Sequence, residues 1–211
     1  MDDYWDHNGG ISEVRMGHAF RDGYRRKVFL MTKIDGGDKN SGARQIEQSL
    51  GRLQTDVIDL LQFHEAIRLD NPDVIFATGG AMEAVQEAKQ AGKSVTLASQ
   101  DHKDPGVHMR TFETADKHGL HFDTVQMPVN VMDAHFRSFL NQVTPAAQEH
   151  GTAIFAMKIF GDRYILPSKT VTPIEALHFW LNSPASVVIT GIDAVQIVDQ
   201  AFQAVESTFE C

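Results

Sequence analysis

The chain has 211 residues, of which 42% are hydrophobic and 22% charged, a composition typical of globular domains. Its net charge of -9 argues against a nucleic-acid partner, and it has no apolar run long enough to span a bilayer. The opening residues lack the pattern of a secretory signal, and the single cysteine, Cys211, excludes an internal disulfide. We therefore expect a cytoplasmic protein.

Short apolar runs of strand length alternate with helical patterns along the chain. The predicted strands are Val28–Lys33, Val57–His64, Ser94–Ser99, Thr124–Val129, Ala153–Met157 and Ser186–Thr190. The predicted helices are one from Ser12 to Ala19 with Ser12 as its N-cap, one through Ile46, Leu50 and Leu53 with Ser41 as its cap, and then Met82–Ala91, Met109–Lys117, Phe139–His150, Pro173–Leu181 and Ala194–Glu206. The segment Glu65–Gly80 is predicted to be a long loop.

This alternation predicts an α/β protein with a parallel sheet. The opening residues Met1–Asp6 imply a seventh strand. Seven units of about 30 residues suit an N-terminally incomplete TIM (β/α)8-type barrel, because a complete barrel takes about 250 residues. We predict one domain over residues 1–211. No metal site is expected, because His118 and His121 have no carboxylate at ligand spacing.

Two predicted strands end in titratable residues. Val28–Lys33 ends in a lysine, and Val57–His64 ends in a histidine. Parallel α/β folds carry their chemistry at the carboxyl ends of the strands. Lys33 could also be a surface lysine and His64 a satisfied core histidine, but together at strand ends they favour an active site.

Several motifs resemble the aldo-keto reductase family. Residues 2–19 resemble its second strand and helix, residues 28–33 its third strand, and residues 50–64 its third helix and fourth strand. Within the last of these, Leu50-x-Arg52-Leu53-Gln54-Thr55-Asp56 is a specific signature. Segments 102–105 and 123–128 resemble a bacterial oxidoreductase branch of the family. The resemblance implies an oxidoreductase that moves hydride between NADP or NAD and a small-molecule carbonyl or alcohol.

The resemblance also implies catalytic positions. The family uses an Asp, Tyr, Lys, His tetrad, and Asp2, Lys33 and His64 fall at three of these places. His7 stands at the place of the tyrosine, which donates the proton to the carbonyl oxygen. His7 lies in a glycine-rich loop and could instead be an ordinary loop residue. If His7 were that acid, Lys33 would disfavour its imidazolium form. Tyr4 is the nearest tyrosine in sequence, at a different spacing.

Cofactor contacts are implied by the same resemblance. Ser99 and Gln100 match a pair that holds the nicotinamide amide, and Gln126 matches a glutamine with the same task. Met157 lies where many members stack an aromatic ring. The remaining predicted contacts are Phe160 and Gly161, in the loop over the pyrophosphate, and Gly191. Asp193 stands where members often place an arginine for the 2′-phosphate, which puts NADP preference in question.

A strand and helix that precede the aspartate in the family are not matched by this sequence. The interpretation is either a fragment or a chain that self-associates through an open barrel edge. A second hypothesis follows from this gap and from His7. The chain would then be a catalytically weak or inactive barrel remnant that binds a nucleotide or a protein partner.

Overall fold

A computed structural model describes residues 4–101 and 103–207. The chain divides into two compact units, Met1–Thr124 and Val125–Cys211. The single domain expected over residues 1–211 stays a prediction. Within the described ranges, every helix is too short or too polar to cross a membrane.

The described residues contain six strands and eight α-helices, and the strand predicted at Met1–Asp6 is not among them, because residues 4–6 form no strand and residues 1–3 lie outside the described ranges. The strands are β1 (Met31–Ile34), β2 (Ile58–Phe63), β3 (Ser94–Gln100), β4 (Thr124–Pro128), β5 (Ala153–Met157) and β6 (Val187–Val188). The helices are α1 (Ile11–Ala19), α2 (Lys39–Leu53), α3 (Asn71–Phe76), α4 (Ala81–Gln90), α5 (Pro105–Lys117), α6 (Phe139–Glu149), α7 (Pro173–Leu181) and α8 (Val195–Ser207). The predicted α/β class is therefore confirmed.

In the first unit, β1 pairs with β2 and β2 with β3, and both pairs are parallel. The register places Lys33 beside Gln62 and Gln62 beside Ala98. Successive strand residues point to opposite faces. Ile34, Leu61 and Phe63 pack into a core cluster with residues of α2 and α4. Lys33 and Gln62 therefore lie on the other face of these strands.

Strand β1 begins three residues later than predicted, at Met31. The backbone N–H of Leu30 donates to the side-chain carboxylate of Asp59 in β2 over 2.7 Å instead of to a backbone carbonyl of that strand. Phe29 is half exposed. An apolar run therefore overstated the length of the strand, because its first residues are held by a side chain.

The cap of α2 differs from the prediction. The carboxylate of Asp38 accepts from the backbone N–H of Ser41 over 3.0 Å, so Asp38 is the N-cap and Ser41 lies inside the helix. The Ser41 prediction was wrong by three residues. Ile46, Leu50 and Leu53 are buried along one side of α2, as their spacing predicted.

The start of α1 also differs from the prediction. Gly10, with φ 82°, precedes the helix and has no side-chain cap, so Ser12 is not the N-cap. A Cβ at Gly10 would lie 2.3 Å from Cζ of Arg52. The close approach of Arg52 therefore fixes this turn, which a pattern of capping residues could not reveal.

The predicted loop Glu65–Gly80 contains a short helix, α3. Pro72 stands in its first turn, where a missing N–H costs nothing. Phe76 ends the helix and is buried in the same core cluster as Ile34 and Phe63. Arg110 of α5 pairs with Asp73 of α3 over 2.8 Å. Burial of one aromatic ring thus outweighs the loop character of the surrounding sequence.

In the second unit, β4 lies beside β5, and β5 pairs with β6 in parallel, with Phe155 opposite Val187. The indole N–H of Trp180 in α7 donates to the carbonyl of Val129, which follows β4. A capping box of Thr172 and Glu175 starts α7. These contacts fix α7 over the strands of this unit.

Candidate active site

Lys33 and His64 occupy neighbouring strand ends of the first unit. Lys33 lies in β1 and is 4% exposed. His64 directly follows β2, and its backbone N–H donates to the carbonyl of Ile34 over 2.7 Å, which continues the parallel pairing. Alternation along β2 puts His64 on the face of Gln62 and Lys33. The two predicted groups therefore share one face at the same end of the sheet.

Gln62 is fully buried on this face, between Lys33 and Ala98 in the strand register. Neither polar atom of its side chain has a hydrogen-bond partner among the described residues. Buried amides are normally satisfied, and an unsatisfied one costs about 1–3 kcal/mol. The side-chain amide of Gln62 is thus suited to form hydrogen bonds with a polar group of a ligand bound on this face. Sequence reasoning missed Gln62 because glutamine is ordinary within a strand.

The segment Tyr4–His7 lies against His64. The ring centroids of Tyr4 and His64 are 3.9 Å apart with 31° between the planes. The His7 ring meets the Tyr4 ring edge-on at 5.1 Å. The structure thus brings together His7, Tyr4 and His64. Tyr4, which sequence spacing had set aside, is the residue in contact with His64.

Asp35 fixes the position of Tyr4. The Tyr4 hydroxyl donates to Oδ2 of Asp35 over 2.5 Å, and the Trp5 indole donates to Oδ1 over 3.1 Å. Nε2 of Gln45 in α2 donates to the same Oδ1 over 2.7 Å. Oε1 of Gln45 accepts from the backbone N–H groups of Asp35 and Gly36. One carboxylate therefore ties the opening segment to β1 and α2.

These contacts change two titrations. Burial, and then the hydrogen bond to Asp35 and its negative charge, raise the pKa of the Tyr4 phenol above its ordinary value. Burial alone would raise the pKa of Asp35, but hydrogen bonds from Tyr4, Gln45 and Trp5 lower it below its ordinary value. Tyr4 is consequently a neutral donor to a charged acceptor and a poor acid near pH 7.

A second network of hydrogen bonds and an ion pair anchors the segment Tyr4–His7. Glu13 of α1 is fully buried, accepts from the Thr32 hydroxyl over 2.7 Å, and pairs with Arg52 over 3.5 Å. Arg52 donates to the carbonyl of Trp5, and its guanidinium carbon lies 5.7 Å from the Trp5 ring centroid. The backbone N–H of Trp5 donates to the backbone carbonyl of Lys33 over 3.2 Å. The segment is thus bonded to β1 through backbone and side chains.

Of the predicted cofactor residues in the first unit, Ser99 and Gln100 end β3 and are both buried. Oε1 of Gln100 accepts from the backbone N–H of Glu65 over 3.1 Å. Glu65 has φ 50°, and its carboxylate lies 3.9 Å from Nε2 of His64. Gln100 therefore supports the turn that follows His64, a role that the resemblance did not imply.

The other predicted cofactor residues lie in the second unit. Nε2 of Gln126 in β4 donates to Sδ of Met157 in β5 over 3.4 Å, and both side chains are buried. Phe160 and Gly161 follow β5, and Gly161 has φ 56° with Ile165 within 2.8 Å of an added Cβ. Gly191 follows β6 and is exposed, as is Asp193. The loop after β5 therefore requires a glycine at residue 161.

Asp2 lies outside the described residues, so its place in the catalytic tetrad stays a prediction. The roles assigned to His7, Lys33, His64 and the seven cofactor residues also stay predictions. Among residues 4–101 and 103–207, no group of three or more His, Cys, Asp or Glu side chains is placed to hold a metal ion. Sequence reasoning missed Asp35, although a carboxylate directly after a strand is a signal that could have found it.

Parallel strand–helix units with polar groups at the strand ends define an α/β domain of TIM-barrel type. The chain belongs to the aldo/keto reductase family, whose model matches residues 4–205. The resemblance inferred from the sequence motifs is therefore confirmed.

Among curated proteins, the chain is similar to Protein tas of Escherichia coli K12, with 28% identity over 181 residues that cover 72% of this chain and 51% of that protein. It is also 28% identical over 168 residues to the uncharacterized oxidoreductase YrpG of Bacillus subtilis, covering 72% of this chain and 49% of that protein. The chain thus spans about half the length of the curated relatives it matches.

Among solved structures, the chain is similar to the holo form of aldo-keto reductase AKR11C1 from Bacillus halodurans, with a TM-score of 0.77 and 21% identity. It is also similar to a thermostable aldo-keto reductase solved with the inhibitor epalrestat, with a TM-score of 0.75 and 20% identity. Each alignment covers 97% of this chain and 76% of the other. These likenesses confirm the predicted fold, an incomplete barrel of the family type.

Proposed function

We propose that the chain carries out NAD(P)H-dependent reduction of a small-molecule carbonyl, and the reverse oxidation of an alcohol. The observation that carries the proposal is the shared face of Lys33 and His64 at the ends of adjacent strands, with the Tyr4–His7 segment against it. Membership of an oxidoreductase family supports the same reaction class.

The residues would divide the work as follows. A bound nicotinamide supplies the hydride, and the protein orients the carbonyl and supplies a proton. His64 would hold the carbonyl oxygen by a hydrogen bond from its imidazole. His7 would be the proton donor, and Lys33, with Asp2 beside it, would provide the positive charge that stabilises the developing negative charge on oxygen.

The first unit offers polar groups that suit a nicotinamide and its substrate. The buried amide of Gln62 has no hydrogen-bond partner among the described residues and lies beside Lys33. In β3 the register puts Ser99 opposite Phe63, on the other face from Lys33 and Gln62, so alternation leaves Gln100 as the member of the predicted pair on their face. In the second unit, Gln126, Met157, Phe160, Gly161 and Gly191 remain proposed cofactor contacts on the strength of the family resemblance.

We propose that NADH binds at least as well as NADPH. Asp193 is exposed, and its negative charge would repel the 2′-phosphate that distinguishes the two cofactors. A cytoplasmic location and self-association through an open sheet edge are also predictions from the sequence.

The experiment that tests the function is a titration of the full chain with NADH and with NADPH. Binding is measured by the quenching of Trp5 and Trp180 fluorescence. Saturable binding, then oxidation of the bound cofactor by small aldehydes and ketones, is the expected result. Lys33→Met should abolish turnover, whereas the control Lys27→Met, in an exposed turn, should not. A folded chain that binds neither cofactor would overturn the proposal.

Saturable binding without turnover would instead support the alternative of an inactive barrel that still binds a nucleotide. The control for that outcome is a range of carbonyl substrates, because loops set substrate choice in this fold.

A further inference from the structure

We propose that Tyr4 is a positioning residue for His64, and that Asp35 holds it in place. This inference rests on the proposed function, because the proposed task of His64 is to hold the carbonyl oxygen. It assigns a task to two residues that the motif comparison left without one.

The ring contact is the first observation. His64 lies directly after β2, so the strand fixes its backbone but not the rotation of its imidazole. The Tyr4 ring, 3.9 Å from the imidazole centroid and tilted by 31°, restricts that rotation. The distance from Nε2 of His64 to Oε1 of Glu65 is 3.9 Å, which is longer than a hydrogen bond.

The hold on Tyr4 is the second observation. Asp35 accepts the Tyr4 hydroxyl at 2.5 Å, and its other oxygen accepts from Trp5 and Gln45. Hydrogen bonds to a charged acceptor are about twice as strong as those between neutral groups. Gln45 in turn accepts from the backbone at Asp35 and Gly36. The position of Tyr4 is thus set by β1 and α2, not by the opening segment alone.

The direction of the hydrogen bond separates this task from acid catalysis. The Tyr4 hydroxyl donates a hydrogen bond to Asp35, so its proton is not available to a carbonyl oxygen. Tyr4 would act through His64, by keeping the imidazole plane aligned with the carbonyl. A small misalignment of an orienting group can slow a reaction by about 100-fold.

The first test is spectroscopic and requires no turnover. In the full chain labelled at histidine, the His64 ring protons should be shifted upfield by the Tyr4 ring. Tyr4→Leu should remove this shift, whereas Tyr4→Phe and Asp35→Asn, which keep the ring but weaken its attachment to Asp35, should both give intermediate values. The matched control Tyr24→Leu, at an exposed ring near Lys27, should leave the His64 signals unchanged. A wild-type shift that survives in Tyr4→Leu would overturn the inference.

The second test uses cofactor oxidation by a carbonyl. Tyr4→Leu should lower kcat by up to about 100-fold, with KM for the cofactor little changed, and Tyr4→Phe should lower kcat less, because it keeps the ring but loses the bond to Asp35. Loss of the ring shift with an unchanged kcat would overturn the positioning role. A wild-type chain that turns over no carbonyl would refute the proposed function, and the ring shift would still report whether Tyr4 contacts His64.

Discussion

At residue 7 the chain carries an imidazole where the family resemblance implies a phenol, and at residue 4 it carries a phenol that the motif does not include. The structure puts the two rings 5.1 Å apart. Tyr4 does not replace the missing tyrosine chemically, because its hydroxyl is bonded to Asp35. Residue identity at two positions therefore decides which proton donor this site can use.

The first prediction concerns His7. His7→Tyr should raise turnover by at least about tenfold, since a well-placed general acid contributes about 100- to 10,000-fold. The positive charge of Lys33 would lower the pKa of a phenol at residue 7 and so make it a better proton donor. The measurement is kcat for carbonyl reduction, with circular dichroism to show that the fold is kept. No gain in a folded variant would mean that the proton donor does not limit the reaction.

The second prediction concerns the phenol of Tyr4. The ultraviolet difference titration between wild type and Tyr4→Phe should show a midpoint above the ordinary tyrosine value of about 10, because burial and Asp35 raise the pKa of Tyr4. The folded form keeps this proton longer than the unfolded form. Its contribution to stability is therefore complete below pH 10 and is lost as the pH rises further. Asp35→Asn should move the midpoint down, and an unchanged midpoint would contradict the assigned cause.

At the scale of elements, α1, α2 and β1 are joined by one buried charge. Glu13 on α1 is balanced by Arg52 on α2 and bonded to Thr32 on β1. Arg52 also reaches the carbonyl of Trp5. The ion pair of Glu13 and Arg52 therefore connects α1, α2 and β1, against which the opening segment lies.

The third prediction follows from the unequal burial of this pair. Arg52→Met should lower the free energy of unfolding by about 3 kcal/mol, because it leaves the buried carboxylate without its cation. Glu13→Gln should cost less, because the Arg52 side chain is 25% exposed and water can solvate it. Urea unfolding measures both.

The control for this pair is Lys39→Met, which breaks exposed ion pairs with Glu83 and Glu87 and should cost clearly less than Arg52→Met. The double variant Arg52→Met with Glu13→Gln should be more stable than Arg52→Met alone. Equal losses in the Arg52 and Lys39 variants would show that Glu13 needs no partner cation.

The fourth prediction concerns α5. Burial lowers the pKa of His108 to about 4, although a hydrogen bond to the backbone of Asp101 raises it. The unfolded chain then binds more protons than the folded chain between pH 6.5 and about 4. The free energy of unfolding should therefore fall with decreasing pH in this window, by up to about 1.4 kcal/mol per pH unit. Stability curves of His108→Leu should be flatter there, and curves with the slope of wild type would contradict the assigned cause.

At the scale of the whole molecule, the proposed binding of a cofactor would be linked to folding. A ligand present at 100 times its dissociation constant raises the free energy of unfolding by about 2.7 kcal/mol if it binds only the folded chain. We expect both NADH and NADPH to raise the thermal midpoint, with NADH at least as effective. Asp193→Arg should increase the effect of NADPH more than that of NADH. An equal response of both cofactors to this variant would remove Asp193 from the 2′-phosphate site.

The sequence by itself predicted the class of the fold, because the hydrophobic periods that decide it are local. Strand Ala153–Met157 and helix Pro173–Leu181 were predicted with their observed bounds. Its motifs also identified the family, and its strand ends identified Lys33 and His64 as neighbours. These features depend on residues close together in the chain.

Only the tertiary structure decided the surroundings of those residues. Tyr4 reaches His64 across 60 positions and Asp35 across 31, and Cζ of Arg52 lies 2.3 Å from the place of a Cβ at residue 10, which is 42 positions away. Phe76 holds α3 in a segment with loop character, because it is buried against β1 and β2. Such contacts depend on how strands and helices pack, and no local period or spacing encodes them.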